Sequence, residues 1–350
     1  MIAENQEEGA VAQIQTPLWR TIPWFRLLLS LFLGGLGLWF VFRDTSLAAL
    51  GAVLSQTRPG YLLLALASIV LTGLVKSWRW QLLFRDHPPV PSFAALFWSL
   101  HLGQLFNTLV PFFRVNEIVR IVDLDRRTRV GKARILGTLV VEKMLEMITL
   151  ALLVFLLIPF LVLPDYARES RLALAITGLM AFAALWIMAY QTERIAHVLR
   201  QIAGRFSHRY IHRLLPIFIS GLEGLAALRS RKTILQLLLS SLFIGLLYIL
   251  TPIILFGALD LQLGLVEGAA VHAVLAIGTV PSWAPANVGV FEFLTAATLR
   301  YFGLTDSSVI LAYTLLFHLV IVLPQVILGG LAALQSEKLP DARNLMSENL

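Results

Sequence analysis

Three ionisable residues stand inside one long apolar segment of this chain. Glu142, Lys143 and Glu146 belong to residues 134–163, a stretch longer than the roughly 20 residues that a membrane-spanning helix needs. At helical spacing the two glutamates share one face, and Lys143 can pair with Glu146. Charges at this depth must face a bundle interior or a water-filled cavity. The pattern favours a substrate- or proton-linked site, and a polar pin between helices is the alternative.

A second group of polar residues lies earlier in the chain. His101, Gln104 and Asn107 recur at three-residue spacing within the apolar stretch 92–110, so they line one face of a helix. A histidine in such a stripe is more often a hydrogen-bonded interior residue than a ligand, and we predict no metal site here. Pro111 then breaks the helix. Charged residues follow the break at Arg114, Glu117 and Arg120.

The composition excludes a soluble protein. The 350 residues are 58% apolar and 14% charged, and the mean hydropathy is +0.79, which is typical of an integral membrane protein. The formal charge of +7 fits basic loops against anionic lipid headgroups, so we expect no nucleic acid partner. The absence of cysteine excludes disulfides and thiolate chemistry. No ATPase glycine loop, zinc-protease motif or glycine-framed nucleophilic serine is present, and we expect no cofactor.

The apolar segments divide into continuous and broken ones. Six continuous segments are predicted to span the membrane: 24–42, 60–75, 134–163, 171–190, 233–259 and 307–334. Two others, 92–125 and 266–303, are interrupted, the second by Pro281, Pro285 and Gly289. Prolines and a glycine so placed cannot continue a regular helix. We therefore expect these two segments to be helical hairpins.

The charges of the loops predict how the hairpins enter the membrane. If both broken segments spanned fully, one strongly basic loop would lie outside the cell, against the positive-inside rule. If each is a re-entrant hairpin, one from either side, every strongly basic loop is cytoplasmic, including 191–232. There we expect a helix on the membrane surface, and a solvated charged connector is the alternative. The prediction is an all-α polytopic protein of the plasma or inner membrane, with both termini in the cytoplasm. Each hairpin with its flanking spans forms one half of an inverted repeat.

The domain limits follow from polarity. Residues 1–18 are polar and acidic and are predicted to be disordered. Residues 19–335 form the transmembrane domain, and 336–350 are a polar tail.

Several motifs, taken in chain order, resemble one family. They are Arg79-Trp80, then Asn107 with Pro111, Arg114, Glu117 and Arg120, then Glu142-Lys143 with Glu146, and last Pro281, Pro285, Asn287, Gly289 and Glu292. The set resembles the transmembrane region of lysylphosphatidylglycerol synthases, also called flippase-like, over about residues 60–334. The chain departs from the family at Asn116, where glycine is usual, and in the longer spacing from Pro111 to Arg114. Lys143 and Glu146 stand where arginine and aspartate are commoner.

The resemblance implies a protein that moves lipids or lipid-linked groups between leaflets. Fused members also carry a soluble aminoacyl-transferase domain. Because the chain stops about 16 residues after its last predicted span, we expect that domain to be absent and lysyl transfer not to occur. The expected substrate is an anionic phospholipid or a polyprenyl-phosphate-linked lipid, and homo-oligomerisation is left open.

The predicted site surrounds one cavity between the hairpins and the central helix. Arg114 and Arg120 can grip a phosphate, and helices that begin near Asn116 and Asn287 point their positive ends at an anion. The carboxylates can offset the arginines or carry coupling protons. The full candidate set is Asn107, Arg114, Glu117, Arg120, Glu142, Lys143, Glu146, Asn287 and Glu292.

Two other functions are compatible with the sequence. A membrane-embedded transferase with a polyprenyl-phosphate donor would show a catalytic carboxylate facing a cytoplasmic pocket. A non-catalytic partner of a separate lipid-modifying enzyme would need no site of its own. Transport is favoured over enzyme activity.

Overall fold

The fold is all-α, as the sequence predicts. A computed structural model describes residues 32, 34–39, 41–43, 46–85, 88–109, 115–157, 160, 231–280 and 284–337, and these contain helices and turns but no strand. The predicted span 171–190, residues 191–230 of the predicted surface segment, the predicted N-terminal tail, residues 338–350 and Arg114 lie outside the described residues. Ser336 and Glu337 of the predicted C-terminal tail belong to the last described helix. Of the predicted first span, residues 34–39 are described and are helical.

The helices with complete bounds are α1 (Leu47–Ser55), α2 (Pro59–Leu82), α3 (Phe93–Leu109), α4 (Val115–Thr128), α5 (Lys132–Leu157), α6 (Arg231–Ala258), α7 (Leu265–Gly278), α8 (Val290–Tyr301) and α9 (Ser307–Glu337). A short 3₁₀ turn, Pro285–Asn287, precedes α8.

Four of the helices are long enough to cross a membrane. α2, α5, α6 and α9 contain 24, 26, 28 and 31 residues, against the roughly 20 that a bilayer demands. α2, α6 and α9 each contain a stretch of 18 residues apolar enough to cross a membrane, whereas α5 carries the three charges discussed above. Large apolar side chains such as Leu63, Leu239 and Leu319 are exposed on these helices, which suits contact with lipid. The chain is a multi-pass membrane protein.

The first broken segment is a re-entrant hairpin. α3 and α4 have only 17 and 14 residues. Near the base of the hairpin, Ser99 Oγ donates to Asp123 at 2.5 Å, and Ser336 Oγ at the end of α9 donates to the same carboxylate at 2.9 Å. At the tip, Thr108 Oγ1 donates to Gln325 Oε1, in the middle third of α9, at 2.7 Å. The hairpin therefore enters to mid-depth and returns to the same end of the bundle.

The second broken segment is a hairpin from the opposite end. α7 and α8 have 14 and 12 residues, and α7 starts just after the end of α6, where Arg58 N donates to Ala258 O at 3.0 Å. At its tip, His318 Nε2 in the middle third of α9 donates to Ala286 O at 2.9 Å. The turn Pro285–Asn287 also packs against α3. The two hairpin tips thus meet beside the centre of α9.

The packing of the helices repeats with the order of the two halves exchanged. In the first half, α2, α3 and α4 each pack on the next helix in the chain, up to α5. In the second half, α6, α7 and α8 do the same in the same order, up to α9. The two halves also contact each other symmetrically. α3 of the first half packs on α9 of the second, and α7 of the second half packs on α5 of the first, while α2 and α6 pack on each other. Since the hairpins enter from opposite ends, this contact pattern supports the predicted inverted repeat.

Glycines let the first hairpin approach its neighbours closely. A Cβ on Gly103 of α3 would overlap Asn116 Oδ1 of α4, and a Cβ on Gly329 of α9 would overlap Leu105 Cβ of α3. Small residues at such crossings are typical of helix packing in membranes.

The orientation in the membrane can be checked with two single cysteines. Arg126 and Gln262 are exposed at opposite ends of the bundle, and the positive-inside rule places Arg126 in the cytoplasm. An impermeant thiol reagent applied to intact cells should label Gln262→Cys and should label Arg126→Cys only after permeabilisation. The unmodified chain, which has no cysteine, gives the blank. Labelling of Arg126→Cys in intact cells would reverse the proposed topology.

Candidate functional site

A polar cavity lies where the two hairpin tips meet α2, α6 and α9. Its volume is about 280 Å³, at the lower end of the roughly 300–1,000 Å³ of small-molecule sites. Among the described residues that line it there is no carboxylate, and the only fully ionised group is one lysine. The amide, imidazole and ammonium groups of the lining are Gln104, Asn107, Asn287, Gln325, His101, His272, His318 and Lys76.

The polar stripe of α3 faces this cavity. His101, Gln104 and Asn107 all line it, which confirms the face predicted from their spacing. His101 is 3% exposed and its ring packs against Phe97, with 4.4 Å between ring centroids. The Gln104 amide lies close to the ring, yet neither imidazole nitrogen makes a hydrogen bond of normal geometry with a described group. His101 therefore has unused hydrogen-bonding capacity at the cavity wall.

Lys76 of α2 links the cavity to a buried ionic cluster. Its Nζ lies 2.8 Å from Glu146 Oε1 of α5 and 5.7 Å from the centroid of the Tyr248 ring of α6. Glu146 is also approached by Arg79 Nη2 at 3.4 Å and by Lys143 Nζ at 3.2 Å. The pairing of Lys143 with Glu146 was expected from their spacing; the two cations from α2 were not.

The rest of the cluster reaches the first hairpin. Lys143 Nζ lies 3.4 Å from Glu117 Oε1 of α4, and its side chain is 46% exposed. Arg79 Nη1 donates to Ser241 Oγ of α6 at 3.1 Å. The cluster thus joins α2, α4 and α5 through ion pairs, and α6 through the hydroxyl group of Ser241.

Arg120 and Glu142 form a separate buried ion pair between α4 and α5. The guanidinium donates to both carboxylate oxygens, at 3.0 and 2.7 Å, the bidentate geometry that gives strong charge-assisted hydrogen bonds. The two side chains are 2% and 3% exposed. Arg120 Cζ also lies 4.0 Å from the centroid of the Trp80 ring, a cation–π contact. Trp80 is itself held by Thr138, whose Oγ1 accepts from Nε1 at 2.9 Å.

Glu292 holds the tip of the second hairpin. One of its oxygens accepts from Gly289 N at 2.5 Å and caps α8, and the other contacts His318 Nδ1. His318 Nε2–H donates to Ala286 O, so Nδ1 and Glu292 must share a second proton. Ala286 and Asn287 have φ of 51° and 60°, a left-handed conformation that costs free energy unless its surroundings enforce it.

The structure brings together only part of the predicted site. Asn107 and Asn287 line the cavity, and Glu292 lies directly behind His318. Glu117, Lys143 and Glu146 belong to the ionic cluster, which reaches the cavity through Lys76. Arg120 and Glu142 bind each other away from the lining, because a buried charge without a partner is prohibitively costly. The expected arrangement of Glu117, Glu142 and Glu292 around the cavity wall is therefore not observed.

Several residues of the cavity and cluster were missed by the sequence reading. Lys76, Arg79 and Trp80 follow the predicted span 60–75, where basic and aromatic residues normally indicate the headgroup level, but Arg79 and Trp80 are each 1% exposed inside the bundle. The overlooked signal is a polar stripe at helical spacing along α2, consisting of Ser68, Thr72, Lys76 and Arg79. A similar stripe on α9 contains Thr314, His318 and Gln325.

Comparison with known proteins agrees with these features. A family model described as lysylphosphatidylglycerol synthase TM region matches residues 27–329. A UPF0104 membrane protein of Methanocaldococcus jannaschii is 23% identical over 292 residues, which cover 81% of this chain and 86% of that protein. No solved structure gives a significant match. The matched range contains both hairpins, the ionic cluster and every described residue that lines the cavity.

Proposed function

Because this chain belongs to the lysylphosphatidylglycerol synthase TM region family, we propose that it moves a lipid or lipid-linked group between the leaflets of its membrane. The observation that carries the proposal is the polar cavity at the meeting point of two hairpins that enter from opposite ends. Inverted repeats with interrupted helices place the substrate sites of many transporters at the same depth.

The cavity supplies what a headgroup loses when it leaves water. A phosphate that enters hydrocarbon without compensation is prohibitively unstable, whereas Lys76 and the amides of Gln104, Asn107 and Asn287 can replace part of its hydration. A volume of about 280 Å³ suits a headgroup, so the acyl chains stay in the surrounding lipid. Each hairpin separates the cavity from one side of the membrane, and displacement of one hairpin against α9 opens a route to that side.

The charge of the ionic cluster supports an anionic substrate. Three cations, Lys76, Arg79 and Lys143, face two carboxylates, Glu117 and Glu146, in this cluster, and the separate pair of Arg120 with Glu142 is neutral. The cluster therefore carries one formal positive charge in excess, and Lys76 is its member at the cavity wall. An anionic phospholipid or a polyprenyl-phosphate-linked lipid satisfies that charge.

The transferase alternative has less support. It requires a catalytic carboxylate at a pocket, and the described residues that line this cavity include none. The alternative of a non-catalytic partner is tested directly by an assay that contains no other protein.

Translocation can be measured with purified protein in vesicles that contain a fluorescent phosphatidylglycerol. An impermeant reductant quenches only the outer leaflet, so active protein should expose the inner pool as well. Gln104→Trp should fill the cavity, and a barrier raised by only about 1.4 kcal/mol slows translocation about tenfold. The matched control is Phe106→Trp on the same helix, because Phe106 is exposed and does not line the cavity.

The outcome of this assay is decisive in both directions. Quenching equal to that of protein-free vesicles would contradict transport. Full activity of Gln104→Trp, with the control also active, would show that the route does not pass through the cavity.

A further inference from the structure

Lys76 can leave its partner in the ionic cluster without isolating a buried carboxylate. Glu146 is contacted by three cations, so release of Lys76 still leaves it paired with Arg79 and Lys143. This matters because removal of the sole partner from a buried carboxylate is strongly unfavourable. Among these three cations, only Lys76 lines the cavity. Its ammonium is therefore placed to turn from Glu146 to an anion that enters the cavity.

The His101 ring can form hydrogen bonds both with a donor and with an acceptor of a bound ligand. A neutral imidazole has one N–H donor and one acceptor nitrogen, and neither nitrogen of this buried ring makes a hydrogen bond of normal geometry with a described residue. A phosphate diester oxygen can only accept, so it can satisfy the N–H and not the other nitrogen. A hydroxyl group does both.

The amides beside His101 have the same requirement. Gln104 and Asn107 on α3 each offer a carbonyl acceptor and an NH₂ donor to the cavity. Across from them, Gln325 Oε1 is engaged by Thr108, so the remaining capacity of that amide is mainly its NH₂ donors. A lining of mixed donors and acceptors next to one ammonium complements hydroxyl groups adjacent to a phosphate.

We propose that the cavity binds a hydroxyl-bearing phosphodiester headgroup, with Lys76 turning from Glu146 to the phosphate while His101, Gln104 and Asn107 hold the hydroxyls. The glycerol or sugar phosphate of a lipid belongs to this class. A choline headgroup does not, because its quaternary ammonium has no N–H and would lie near the Lys76 cation. This inference rests on the proposed function and names the substrate class of the same site.

Deacylated headgroups test the class without any membrane. The full chain in neutral detergent is titrated by calorimetry with glycerophosphoglycerol, with methyl phosphocholine, which is a phosphodiester without hydroxyl groups, and with inorganic phosphate. The first should bind at least about tenfold more tightly than either of the others. Equal affinity for the two diesters would overturn the role of the hydroxyls, and equal affinity for inorganic phosphate would reduce the site to one for free phosphate. This comparison uses the wild-type chain and so does not depend on the folding of a variant.

Two lysine variants test the exchange of partners. Lys76→Gln should weaken binding of glycerophosphoglycerol by about tenfold or more. Lys132→Gln removes the same charge from the exposed start of α5, outside both the cavity and the cluster, and its affinity should stay within about twofold of wild type. Equal weakening by both variants would indicate a general charge effect and would overturn the assignment of Lys76. Thermal unfolding and gel filtration of both variants establish that they are folded.

His101 is tested by the loss of discrimination. His101→Leu should bring the affinities for the two diesters together, and His101→Gln, which keeps one donor and one acceptor, should restore part of the difference. An unchanged preference in His101→Leu would overturn its role.

Binding and transport can fail separately. If wild-type protein binds glycerophosphoglycerol but does not translocate labelled phosphatidylglycerol, the proposed function fails while the site stands. If Lys76→Gln translocates this lipid at the wild-type rate, the site fails while transport stands.

Discussion

Replacement of Arg120 by Leu should destabilise the folded protein by about 3–5 kcal/mol, the usual effect of removing one partner from a buried ion pair. The Glu142 carboxylate, whose side chain is 3% exposed, would lose both hydrogen bonds and stay buried as an uncompensated charge. The contact of the guanidinium with Trp80 would be lost as well. Reversible unfolding in mixed detergent micelles, followed by circular dichroism, measures the change.

A second substitution tests whether the loss of stability comes from the unpaired charge of Glu142. The double variant Arg120→Leu with Glu142→Leu should recover most of the lost stability, since apolar replacement of a buried ion pair is often neutral or stabilising. An exposed pair supplies the control: Arg58 and Asp260 lie 3.2 Å apart with side chains 55% and 69% exposed. Arg58→Leu should cost less than about 1 kcal/mol. A similar small cost for Arg120→Leu would contradict the importance of the buried pair.

The double variant also decides what Arg120 and Glu142 do. They were predicted as substrate-binding residues, and the structure shows them bound to each other across α4 and α5. If they act only as a pin, the stable double variant should translocate lipid normally. A folded but inactive double variant would show that their charges take part in transport.

The parts of the fold that depend on local sequence were predictable. Hydrophobic length identified the long helices, and the breaks near Pro111 and Pro281 identified the hairpins, because proline inside a helical run removes a backbone hydrogen bond and favours a break. The rule is not absolute, since α6 and α9 continue through Pro252 and Pro324. The face formed by His101, Gln104 and Asn107 followed from helical spacing alone. By contrast, α1 was missed, because nine residues are too few for a hydrophobic window. Its capping residue Ser46, whose Oγ accepts from Ala49 N at 3.1 Å, was the available signal.

The pairing of the charges was not predictable in the same way. Lys76 meets Glu146 only because α2 and α5 pack around the same hairpin, and nothing local to either helix specifies that contact. A basic residue and a tryptophan near a helix end normally indicate the headgroup region. Trp80 is instead buried against Thr138, and only the tertiary arrangement reveals this. Residues of the cavity were therefore easier to find than the partners of the cluster.

Replacement of Glu292 by Ala should detach the tip of the second hairpin. It removes the cap on Gly289 N and the partner of His318 Nδ1 in one step. Loss of a cap costs about 0.5–2 kcal/mol, and a buried group without a partner costs about 1–3 kcal/mol, so we expect a total near 2–4 kcal/mol. The tip holds Ala286 and Asn287 in a left-handed conformation at the cavity wall, so translocation should fall with stability.

A matched cap on the other arm of this hairpin provides the control. Glu267 caps α7 in the same way, accepting from Gly264 N at 2.8 Å on an exposed surface without a histidine. Glu267→Ala should therefore cost only about 0.5–1 kcal/mol, at the lower part of the range for a helix cap. Equal losses for the two variants would contradict the special role of the contact between Glu292 and His318.

Glu292→Gln tests whether the contact between residue 292 and His318 needs only its hydrogen bonds or also the proton shared between the two side chains. The amide oxygen can accept from Gly289 N and the amide NH₂ can donate to His318 Nδ1, while His318 Nε2–H still donates to Ala286 O. Every hydrogen bond of the tip is then kept, but the shared proton is gone. Because these contacts fix the position of the hairpin tip, we expect the free energy of unfolding of Glu292→Gln to stay within about 1 kcal/mol of that of the wild type. The variant should also translocate lipid in the vesicle assay. A well-folded but inactive Glu292→Gln protein would mean that transport needs the proton held between Glu292 and His318.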